Sequence, residues 1–576
     1  MKKLAFCAVA LLSQLYFSQG FLKADGQKIV NEKNENIQLR GLGLGGWMLQ
    51  EGYMLKTADF AGPQYQIKAK IAELIGEDGM NEFYKNYLKN GITKQDIDLL
   101  AKAGFNSVRL PMHYNLYTLP IEKEPKKGKN TWLDEGFKIT DDLLKWCADN
   151  KMYLILDLHA APGGQGNDVN ISDNDKTKPN LWQNEENQKK TIALWKKLAE
   201  RYKNEPWIGG YDIINEPNIN FTGKNPNGSD EQSNAPLWKL EKEITNAIRS
   251  VDKNHMIIIE GNAWGNNYNG LPEKLWDQNM VFSFHKYWSN NDDETLKFAL
   301  DLRNKYNIPI WLGETGENSN VWFTQIIQLL NKHNIGYAFW PMKKIDNIAG
   351  IVNVKTTPEY QKLLDYWKNG GEKPTQEFAK KALMQIAENY KLSNAEIKID
   401  VIDAMFRQTT DSSTKPFKNH VIPGKIAAAE YDLGQINSAY SDKDFIDLWA
   451  SDPKKRSAWN SGNQFRNDGV DIYKDSANQY YVGKIEDGEW LQFTLNSDAD
   501  KIYTLDINYA SSSENSVLKI TDDKGKELGE INLPKTGGND IWKTATINNL
   551  PLNKGENKIR FVFEKGGFNF KNFELK

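Results

Sequence analysis

The sequence contains little cysteine and little histidine, and it has no long hydrophobic run. Two of its 576 residues are cysteine and six are histidine, which excludes a disulfide scaffold and a zinc cluster built on cysteine. No run of 18 or more apolar residues occurs, so we predict no ordinary membrane-spanning helix. Neither sign of charge dominates, because 73 Lys and Arg face 76 Asp and Glu. A nucleic-acid partner would require a basic surface, and none is expected.

The composition is typical of a soluble, folded chain. Apolar residues make up 39% of the sequence and charged residues 26%, as in globular proteins. At about 150 residues per domain the length predicts three or four domains, although one α/β barrel can hold about 250 residues or more. Aromatic residues reach 11%, with 18 Trp. Most such rings pack in cores, but flat rings also stack on sugars.

Residues 1–20 have the pattern of a secretory signal peptide. The basic start, the short apolar run and the small residues for cleavage are, in order, Lys2-Lys3, Leu4–Leu12 and Ser18-Gln19-Gly20. An uncleaved anchor helix is the alternative, but the apolar run is too short to span a bilayer. We therefore expect export, either secretion or retention in the periplasm or at the cell surface. One cysteine, Cys147, would remain.

From residue 21 to about residue 408, apolar segments alternate with amphipathic helices. One helix is predicted to begin at the cap Thr93, with Asp96 in its first turn, and to end at Gly104. Eight segments are predicted strands: Ile37–Leu42, Ser107–Leu110, Met152–Leu158, Tyr211–Ile214, Met256–Ile259, Val281–Phe284, Ile308–Leu312 and Ile335–Phe339. Eight successive strand–helix units predict an α/β fold, a closed (β/α)8 TIM barrel, whose active site lies at the carboxyl ends of the strands.

Polar and aromatic residues follow six of these strands, where such a site would be. They are Arg109, His113, Asp157, His159, Asn215, Glu216, His285, Tyr287, Glu314 and Trp340. Any one of them could be a structural polar residue or a core ring. Because they occur at the mouths of six different strands, we predict that they share one cavity.

Glu216 and Glu314 follow predicted strands four and seven. Cleavage of a glycosidic bond needs one carboxylic acid to protonate the leaving oxygen and one carboxylate to attack or stabilise the anomeric carbon. A separation of about 5 to 5.5 Å between the two carboxyl groups would make the reaction retaining. An arginine beside one carboxylate would lower its pKa, and burial would raise that of the other. Arg109 is a candidate for the first task.

These residues resemble glycoside hydrolase family 5, over about residues 25–346. The matching segments are Arg40-Gly41-Leu42-Gly43-Leu44-Gly45-Gly46-Trp47, Val108–Pro111, Leu156–His159, Ile213–Pro217, His285-Lys286-Tyr287, Leu312-Gly313-Glu314 and Ala338-Phe339-Trp340. The resemblance implies that Glu216 is the acid/base and Glu314 the nucleophile of a retaining enzyme. It also implies a substrate-binding set: Arg109, His159, Asn215, His285, Tyr287 and Trp340.

The segment that ends in Gly45-Gly46-Trp47 is most like that of the β-glucan-active members of the family. The resemblance therefore implies β-linked glucan, β-1,4 or β-1,3, as the substrate, with mannan as the alternative. Trp182, Trp264 and Trp288 lie in predicted loops after strands and could form outer sugar subsites, although local loop packing is the favoured explanation for each of them.

The pattern changes after residue 408. Residues 409–421 are predicted to be a linker, rich in Thr, Ser and Asp. Residues 422–576 show short alternating segments such as Trp490–Leu495 and Ile559–Phe563, separated by turn signals. This pattern predicts an all-β sandwich of jelly-roll type.

The tail resembles carbohydrate-binding module family 6. The matching segments are Ile422–Ile426, Arg466–Ile472, Asp487–Trp490, Thr536–Gly538 and Gly566–Asn569. Trp542 and Asn569 are the candidate sugar-binding residues. The sequence departs from the family at Lys484 and Asn539, where aromatic residues are usual, and at Ala429, where a glutamate often helps to hold a structural calcium ion. Because Glu430 is adjacent, calcium in this module is left open.

Two other classes of function compete with hydrolysis. A non-catalytic glycan-binding protein could keep the barrel, but the presence of both Glu216 and Glu314 argues against it. A metal enzyme using Asp157, His159 and His285 is disfavoured, because the sequence has no His-x-x-x-His or similar spacing. We therefore expect a monomer that acts on a polysaccharide or oligosaccharide and needs no cofactor or metal for catalysis.

Overall fold

The computed structural model of the protein describes residues 20–576. The predicted signal segment, residues 1–20, lies outside the described residues apart from Gly20. Eight parallel strands close into a barrel in chain order, which confirms the predicted (β/α)8 fold. The barrel strands are Arg40–Gly43, Ser107–His113, Tyr153–Ala160, Ile208–Asp212, Ile257–Glu260, Met280–Lys286, Ile310–Gly316 and Gly336–Trp340.

Several barrel strands extend further toward their carboxyl ends than the apolar pattern predicts. The second strand continues to His113, the sixth to Lys286 and the seventh to Gly316. The backbone remains paired with the neighbouring strands there, while the side chains change from apolar to polar. The hydrogen-bonded strands therefore hold these polar residues at the mouth of the barrel on a rigid backbone.

Helices surround the barrel and pack on an apolar core that its strands supply. The helices are Gln64–Gly91, Lys94–Ala103, Asp134–Asp149, Val169–Ser172, Glu185–Tyr202, Ala235–Arg249, Asn262–Gly265, Asp293–Tyr306, Asn320–His333, Pro358–Asn369, Gln376–Asn389 and Ile399–Met405. The predicted capping of Lys94–Ala103 is present: Thr93 and Asp96 form a capping box, and Gly104 ends the helix at φ 115°.

Smaller elements complete the N-terminal two thirds of the chain. The strands Lys23–Asp25 and Lys28–Val30 form a hairpin, and Lys343–Ile345, Val352–Val354 and Glu396–Ile397 form a three-stranded sheet. The helices Gln64–Gly91, Pro358–Asn369 and Gln376–Asn389 enclose a second apolar cluster beside the barrel. No helix within residues 20–576 has the length and apolar character that a bilayer span requires.

The C-terminal region is an all-β sandwich of two six-stranded sheets. The strands of the first sheet are His420–Ile422, Tyr440–Ser441, Trp490–Ser497, Ser516–Asp522, Glu527–Leu533 and Gly555–Lys565. Those of the second are Gly424–Ala427, Ile472–Lys474, Tyr480–Val482, Lys501–Ser511, Lys543–Leu552 and Phe568–Leu575. Alternate side chains of each strand point inward, so that rings such as Phe493, Phe561 and Phe573 form the core.

The predicted linker, residues 409–421, overlaps the sandwich. His420–Ile422 is a strand whose residues pair in parallel with Leu495–Ser497, and Lys415 bridges to Leu433. This segment lacks an apolar alternation because it is an edge strand of three residues, too short to show a period of two.

A buried polar junction connects the barrel to the sandwich. Asn467 of the sandwich donates from Nδ2 to the carbonyl of Asn318, 2.9 Å away, and to Oδ1 of Asn320 at 3.1 Å. The backbone N–H of Asn467 donates to Oδ2 of Asp400 at 2.8 Å. The backbone carbonyl of Asn467 accepts from the backbone N–H of Asn320. Buried amides require partners, so these bonds fix the sandwich to the loop that follows barrel strand seven.

Candidate active site

Glu216 lies four residues beyond the end of barrel strand four, in a conformation that few residues adopt. Its φ is 42°, in the left-handed region, where a side chain with a Cβ is strained. Its backbone N–H donates to Oε2 of Glu260, 2.7 Å away. That buried bond holds the strained backbone in place and directs the carboxyl group toward the cavity.

Glu314 lies within barrel strand seven and is held from two sides. The guanidinium of Arg109 donates to Oε1, and the hydroxyl of Tyr287 donates to Oε2 at 3.2 Å. One carboxylate oxygen of Glu314 lies within 4.8 Å of one of Glu216. The two carboxylates therefore face each other across the mouth of the barrel, as their positions after strands four and seven predicted.

Arg109 forms the floor of this site and is fully buried. Besides Glu314, it lies 3.2 Å from Asp157, 2.8 Å from Asp212 and 3.1 Å from Glu260. It also donates to Oδ1 of Asn215, 2.7 Å away. A buried charge requires paired partners. The guanidinium of Arg109 thus links its own strand, the second, to strands three, four, five and seven in one network.

His285 connects the two sides of the network. Its Nδ1 lies 2.6 Å from Oε1 of Glu216, and its Nε2 lies 3.2 Å from Oε1 of Glu260. Burial by itself lowers the pKa of His285, but the carboxylates of Glu260, Glu314 and Glu216 raise it well above its usual value. The surroundings of the ring therefore favour its protonated form. Although burial raises the pKa of Glu260, the charge of His285 and its hydrogen bond lower that pKa to about 2.

The two facing carboxyl groups have opposite pKa shifts. Burial, and next the charge of Glu314, raise the pKa of Glu216. Burial alone would also raise the pKa of Glu314, but the cations His285 and Arg109 lower it below its usual value. The site thus favours a protonated Glu216 beside an ionised Glu314, which is the division of roles that acid-assisted displacement needs.

His159 and Trp340 form one wall of the site. Their rings are stacked, with centroids 5.0 Å apart and planes 5° from parallel. Nδ1 of His159 lies 2.8 Å from Asp157, and Nε1 of Trp340 donates to the hydroxyl of Tyr53 at 2.8 Å. A Cβ at Gly45 would lie 2.5 Å from the Trp340 ring, so the glycine-rich segment after strand one leaves room for this ring.

Both carboxylates line a cavity of about 810 Å³, a size typical of ligand clefts. Trp264 and Trp288 line it as well, so two of the three predicted loop tryptophans are at the cavity. Trp182 is not among its lining residues, and its Nε1 donates to the carbonyl of Gln165. His113 is also absent from that lining, because its ring pairs with Asp173 at 2.9 Å. Three more predicted residues, Arg109, Asp157 and Asn215, do not line the cavity: they are fully buried, and Arg109 contacts the other two.

Some residues of the site were not predicted. Asp212 and Glu260 end apolar strands and could have been found by the same rule that found Glu314. Glu51, Tyr53 and Glu317 line the cavity from loops after strands. Burial, followed by the charges of Glu314 and Glu216, raises the pKa of Glu51 well above its usual value. These surroundings therefore favour the protonated form of Glu51.

Within residues 20–576, two groups of side chains have metal-ligand spacing, and both include Glu314. They are Asp157-His159-Glu314 and Glu216-His285-Glu314. In both groups the two oxygens of Glu314 already accept from Arg109 and Tyr287, and Nδ1 of His285 lies 2.6 Å from Oε1 of Glu216. The side chains of these groups therefore pair with one another.

The candidate residues of the sandwich lie on its second sheet. Nζ of Lys571 lies 3.7 Å from the centroid of the Trp542 ring, whose edge meets Tyr481. Nδ2 of Asn569 donates to the carbonyl of Asn539 at 2.7 Å. Lys484, which replaces an aromatic residue of the family, pairs with Asp444 at 2.9 Å.

The position of the expected calcium ligand offers little to a cation. Ala429 is buried and has no oxygen in its side chain. The adjacent Glu430 pairs with Lys418. Calcium takes six to eight oxygen ligands, carboxylates prominent among them, and these residues do not supply them. The structure therefore gives no support for calcium at this position.

A buried acid facing an ionised carboxylate at the mouth of a (β/α)8 barrel is the arrangement that O-glycoside hydrolases use. Comparison with protein families agrees. Residues 67–346 match the model of "Cellulase (glycosyl hydrolase family 5)", and residues 463–576 match "Carbohydrate binding module (family 6)". The barrel thus matches glycosyl hydrolase family 5 and the sandwich matches carbohydrate-binding module family 6, which confirms both predicted resemblances.

Curated relatives include three kinds of glycosidase. A beta-xylosidase of Phanerodontia chrysosporium is 31% identical over 46% of this chain and 52% of its own length. Endoglucanase C of Acetivibrio thermocellus is 26% identical over 56% of this chain and 96% of its own length. A probable glucan 1,3-beta-glucosidase A of Aspergillus clavatus is 27% identical over 47% and 60%. The chain thus spans about half the length of the first of these relatives.

Among solved structures, Cel5A of Thermotoga maritima in complex with mannotriose aligns with a TM-score of 0.35. It is 22% identical to this chain, and the alignment covers 43% of this chain and 82% of that one.

Proposed function

We propose that this protein is a retaining glycoside hydrolase that cleaves β-linked glucan, β-1,4 or β-1,3, by double displacement. One observation carries the proposal. Glu216 and Glu314 lie with an oxygen of each within 4.8 Å, and their pKa values are shifted in opposite directions. This separation agrees with the about 5 to 5.5 Å between the carboxyl groups of retaining enzymes, and not with the about 6.5 to 9.5 Å of inverting ones.

In the first step Glu314 attacks the anomeric carbon while Glu216 gives its proton to the leaving oxygen. The bond from Glu314 to the sugar forms as the glycosidic bond breaks, and the leaving alcohol departs neutral. Arg109 and Tyr287 hold Glu314 in position through its two oxygens. In the second step Glu216, now ionised, removes a proton from water, which displaces Glu314 from the sugar.

Asn215 is suited to bind the sugar that reacts. Its Oδ1 accepts from Arg109, which fixes the amide so that Nδ2 is the remaining donor. That buried Nδ2 has no partner among the described residues. A buried donor without a partner is costly, and a sugar hydroxyl would satisfy it. This supports the role of Asn215 as ligand of the 2-hydroxyl group, with the stacked His159 and Trp340 beside the same sugar.

Two variants test the assignment of the carboxylates. Glu314→Ala should abolish turnover while the protein stays folded. Glu216→Ala should lose about 10²- to 10⁴-fold on natural glycans, the usual contribution of a general acid. It should retain turnover of aryl glycosides whose leaving group needs no proton, and added azide should give a β-glycosyl azide. Hydrolysis of natural glycans at the wild-type rate by either variant would overturn the assignment.

Product analysis on 1,3-, 1,4- and 1,6-linked β-glucans and on mannan would establish the linkage. The named activities of the relatives, xylosidase, endoglucanase and 1,3-glucosidase, differ in substrate, so a xylan substrate belongs in the panel. Turnover of mannan but not of glucan would contradict the glucan assignment and leave the mechanism intact.

We also propose that the protein is exported, on the signal pattern of residues 1–20, and that it acts as a monomer. Fractionation of the producing cells tests export, and a mature N-terminus close to residue 21 is expected. Gel filtration with light scattering tests the oligomeric state.

A further inference from the structure

A segment of the sandwich, residues 446–451, lies at the catalytic cavity of the barrel. We refer to it as the bridging segment. Trp449 and Ala450 line the same cavity as Glu216 and Glu314. Ile446 and Leu448 are partly buried against the core of the barrel. The wall of the cavity is thus built from two domains.

Hydrogen bonds attach the bridging segment to the loops after barrel strands six and seven. The backbone N–H of Ala450 donates to the carbonyl of Trp288, 2.8 Å away. The backbone N–H of Asn290 donates to the hydroxyl of Ser451 at 2.7 Å. Asn318 donates from Nδ2 to the carbonyl of Asp447 at 2.8 Å and accepts from its N–H at 3.2 Å.

These anchors place the segment close to the reacting groups. Trp288 follows Tyr287, which contacts Glu314, and Asn318 belongs to the loop after Glu314. The buried junction at Asn467 holds the same loop. The position of Trp449 is therefore fixed relative to the catalytic carboxylates by bonds on both of its sides.

The ring of Trp449 is unusually open for a tryptophan. Its exposed fraction is 44%, and among the described residues it is the one tryptophan with this much exposure. The guanidinium of Arg456 lies 5.7 Å from the ring centroid, within the range of a cation–π contact. An exposed aromatic ring in the wall of a cavity offers a flat apolar face to a ligand, as the aromatic linings of ligand pockets do. The flat apolar face of a β-linked sugar ring fits that surface.

We propose that Trp449 is a substrate-binding residue that stacks on a sugar unit beyond the one that reacts, so that the sandwich completes the active site of the barrel. This inference rests on the proposed glycan hydrolase function. A ring that contacts the substrate away from the reacting bond binds the ground state and the transition state alike. Such an interaction lowers KM and leaves kcat unchanged.

The test compares Trp449→Ala and Trp449→Phe with the wild-type full-length protein on cello- and laminari-oligosaccharides of two to six units. Ile502→Ala is the matched control, because Ile502 is an exposed apolar residue of the same sandwich that does not line the cavity. For oligosaccharides long enough to reach the ring, Trp449→Ala should raise KM by about fivefold to tenfold, the usual strength of an aromatic stack. kcat should stay the same, Trp449→Phe should recover most of the loss, and Ile502→Ala should behave as wild type.

Two outcomes would overturn the inference. Equal KM values for wild type and Trp449→Ala at every chain length would show that the ring does not touch substrate. An equal fall in kcat at every length, with a lowered Tm, would show a structural role instead. If the wild type cleaves no glycan of either series, the proposed function fails. If the wild type cleaves them and Trp449→Ala has the same KM and kcat, only this inference is rejected.

Discussion

At the scale of single residues, one guanidinium organises the floor of the catalytic cavity. Arg109 contacts Asp157, Asp212, Glu260 and Glu314. These carboxylates come from strands three, four, five and seven, and without a cation they would repel one another in a buried site. The residue that tunes the nucleophile therefore also stabilises the barrel.

Substitution of Arg109 by Met should lower the free energy of unfolding by about 3–5 kcal/mol, because carboxylates would be left buried without their cation. Denaturant unfolding measures the change. Arg201→Met is the control, since its ion pair with Asp141 is largely exposed and such pairs contribute about 0–1 kcal/mol. Equal stability losses in the two variants would contradict the role given to Arg109.

The opposite pKa shifts of the two glutamates predict a bell-shaped pH profile of kcat/KM. Activity should fall as the pH drops through the lowered pKa of Glu314, since the nucleophile becomes protonated. It should also fall as the pH rises through the raised pKa of Glu216, since the acid loses its proton.

Glu216→Ala provides the control for this profile. With an activated aryl glycoside it should lose the limb at high pH and keep the limb at low pH. A high-pH limb at the same position in wild type and variant would show that another group causes it.

The residues that could be predicted from the sequence are those whose position follows from a strand end. Glu216, Glu314, Tyr287 and Arg109 all follow from that rule together with the family resemblance. His113 satisfies the rule too but lies outside the cavity, because the partner that draws its ring away, Asp173, belongs to a distant loop. Such pairings depend on loop conformation, which no local pattern encodes.

At the scale of elements, helix Ile399–Met405 and the loop after strand seven hold the sandwich. Residues 393–407 carry no clear period because their elements are short: the strand Glu396–Ile397 and the seven-residue helix Ile399–Met405. Asp400 in this helix accepts from both Asn320 and Asn467. The partners come from three distant parts of the chain, so the junction was not predictable from the sequence.

Asn467→Ala should destabilise the protein by about 1–3 kcal/mol, because it leaves the buried partners of the Asn467 amide unsatisfied. These are the carbonyl of Asn318, Oδ1 of Asn320 and the Nε1–H of Trp459. Thermal or denaturant unfolding measures the effect. Asn532→Ala, at an exposed site of the same sandwich, should change stability by less than about 0.5 kcal/mol. A stable Asn467→Ala variant would show that the junction contributes little.

At the scale of the whole molecule, the length predicted three or four domains, and the described chain contains a barrel and a sandwich. The eight strands and their order were predicted because buried parallel strands are continuous apolar runs. The contact between barrel and sandwich was not predicted. Residues 446–451 carry no periodic pattern, and their position depends on bonds to loops far away in sequence.

The near-neutral charge of the chain agrees with an uncharged polysaccharide as substrate. In the catalytic site, by contrast, charge is concentrated on buried carboxylates that Arg109 and His285 contact, and Lys286 also lines the cavity. The charged groups therefore act on the reacting bond, where charge develops in the transition state. Aromatic rings such as Trp340 and Trp449 provide surface for uncharged sugars.

The anomeric form of the first product tests the central claim most directly. Proton NMR during the first minutes of hydrolysis of a β-linked oligosaccharide distinguishes the two anomers before they equilibrate. Double displacement through Glu314 predicts that the β-anomer forms first and the α-anomer appears later by mutarotation. Initial formation of the α-anomer would contradict the account.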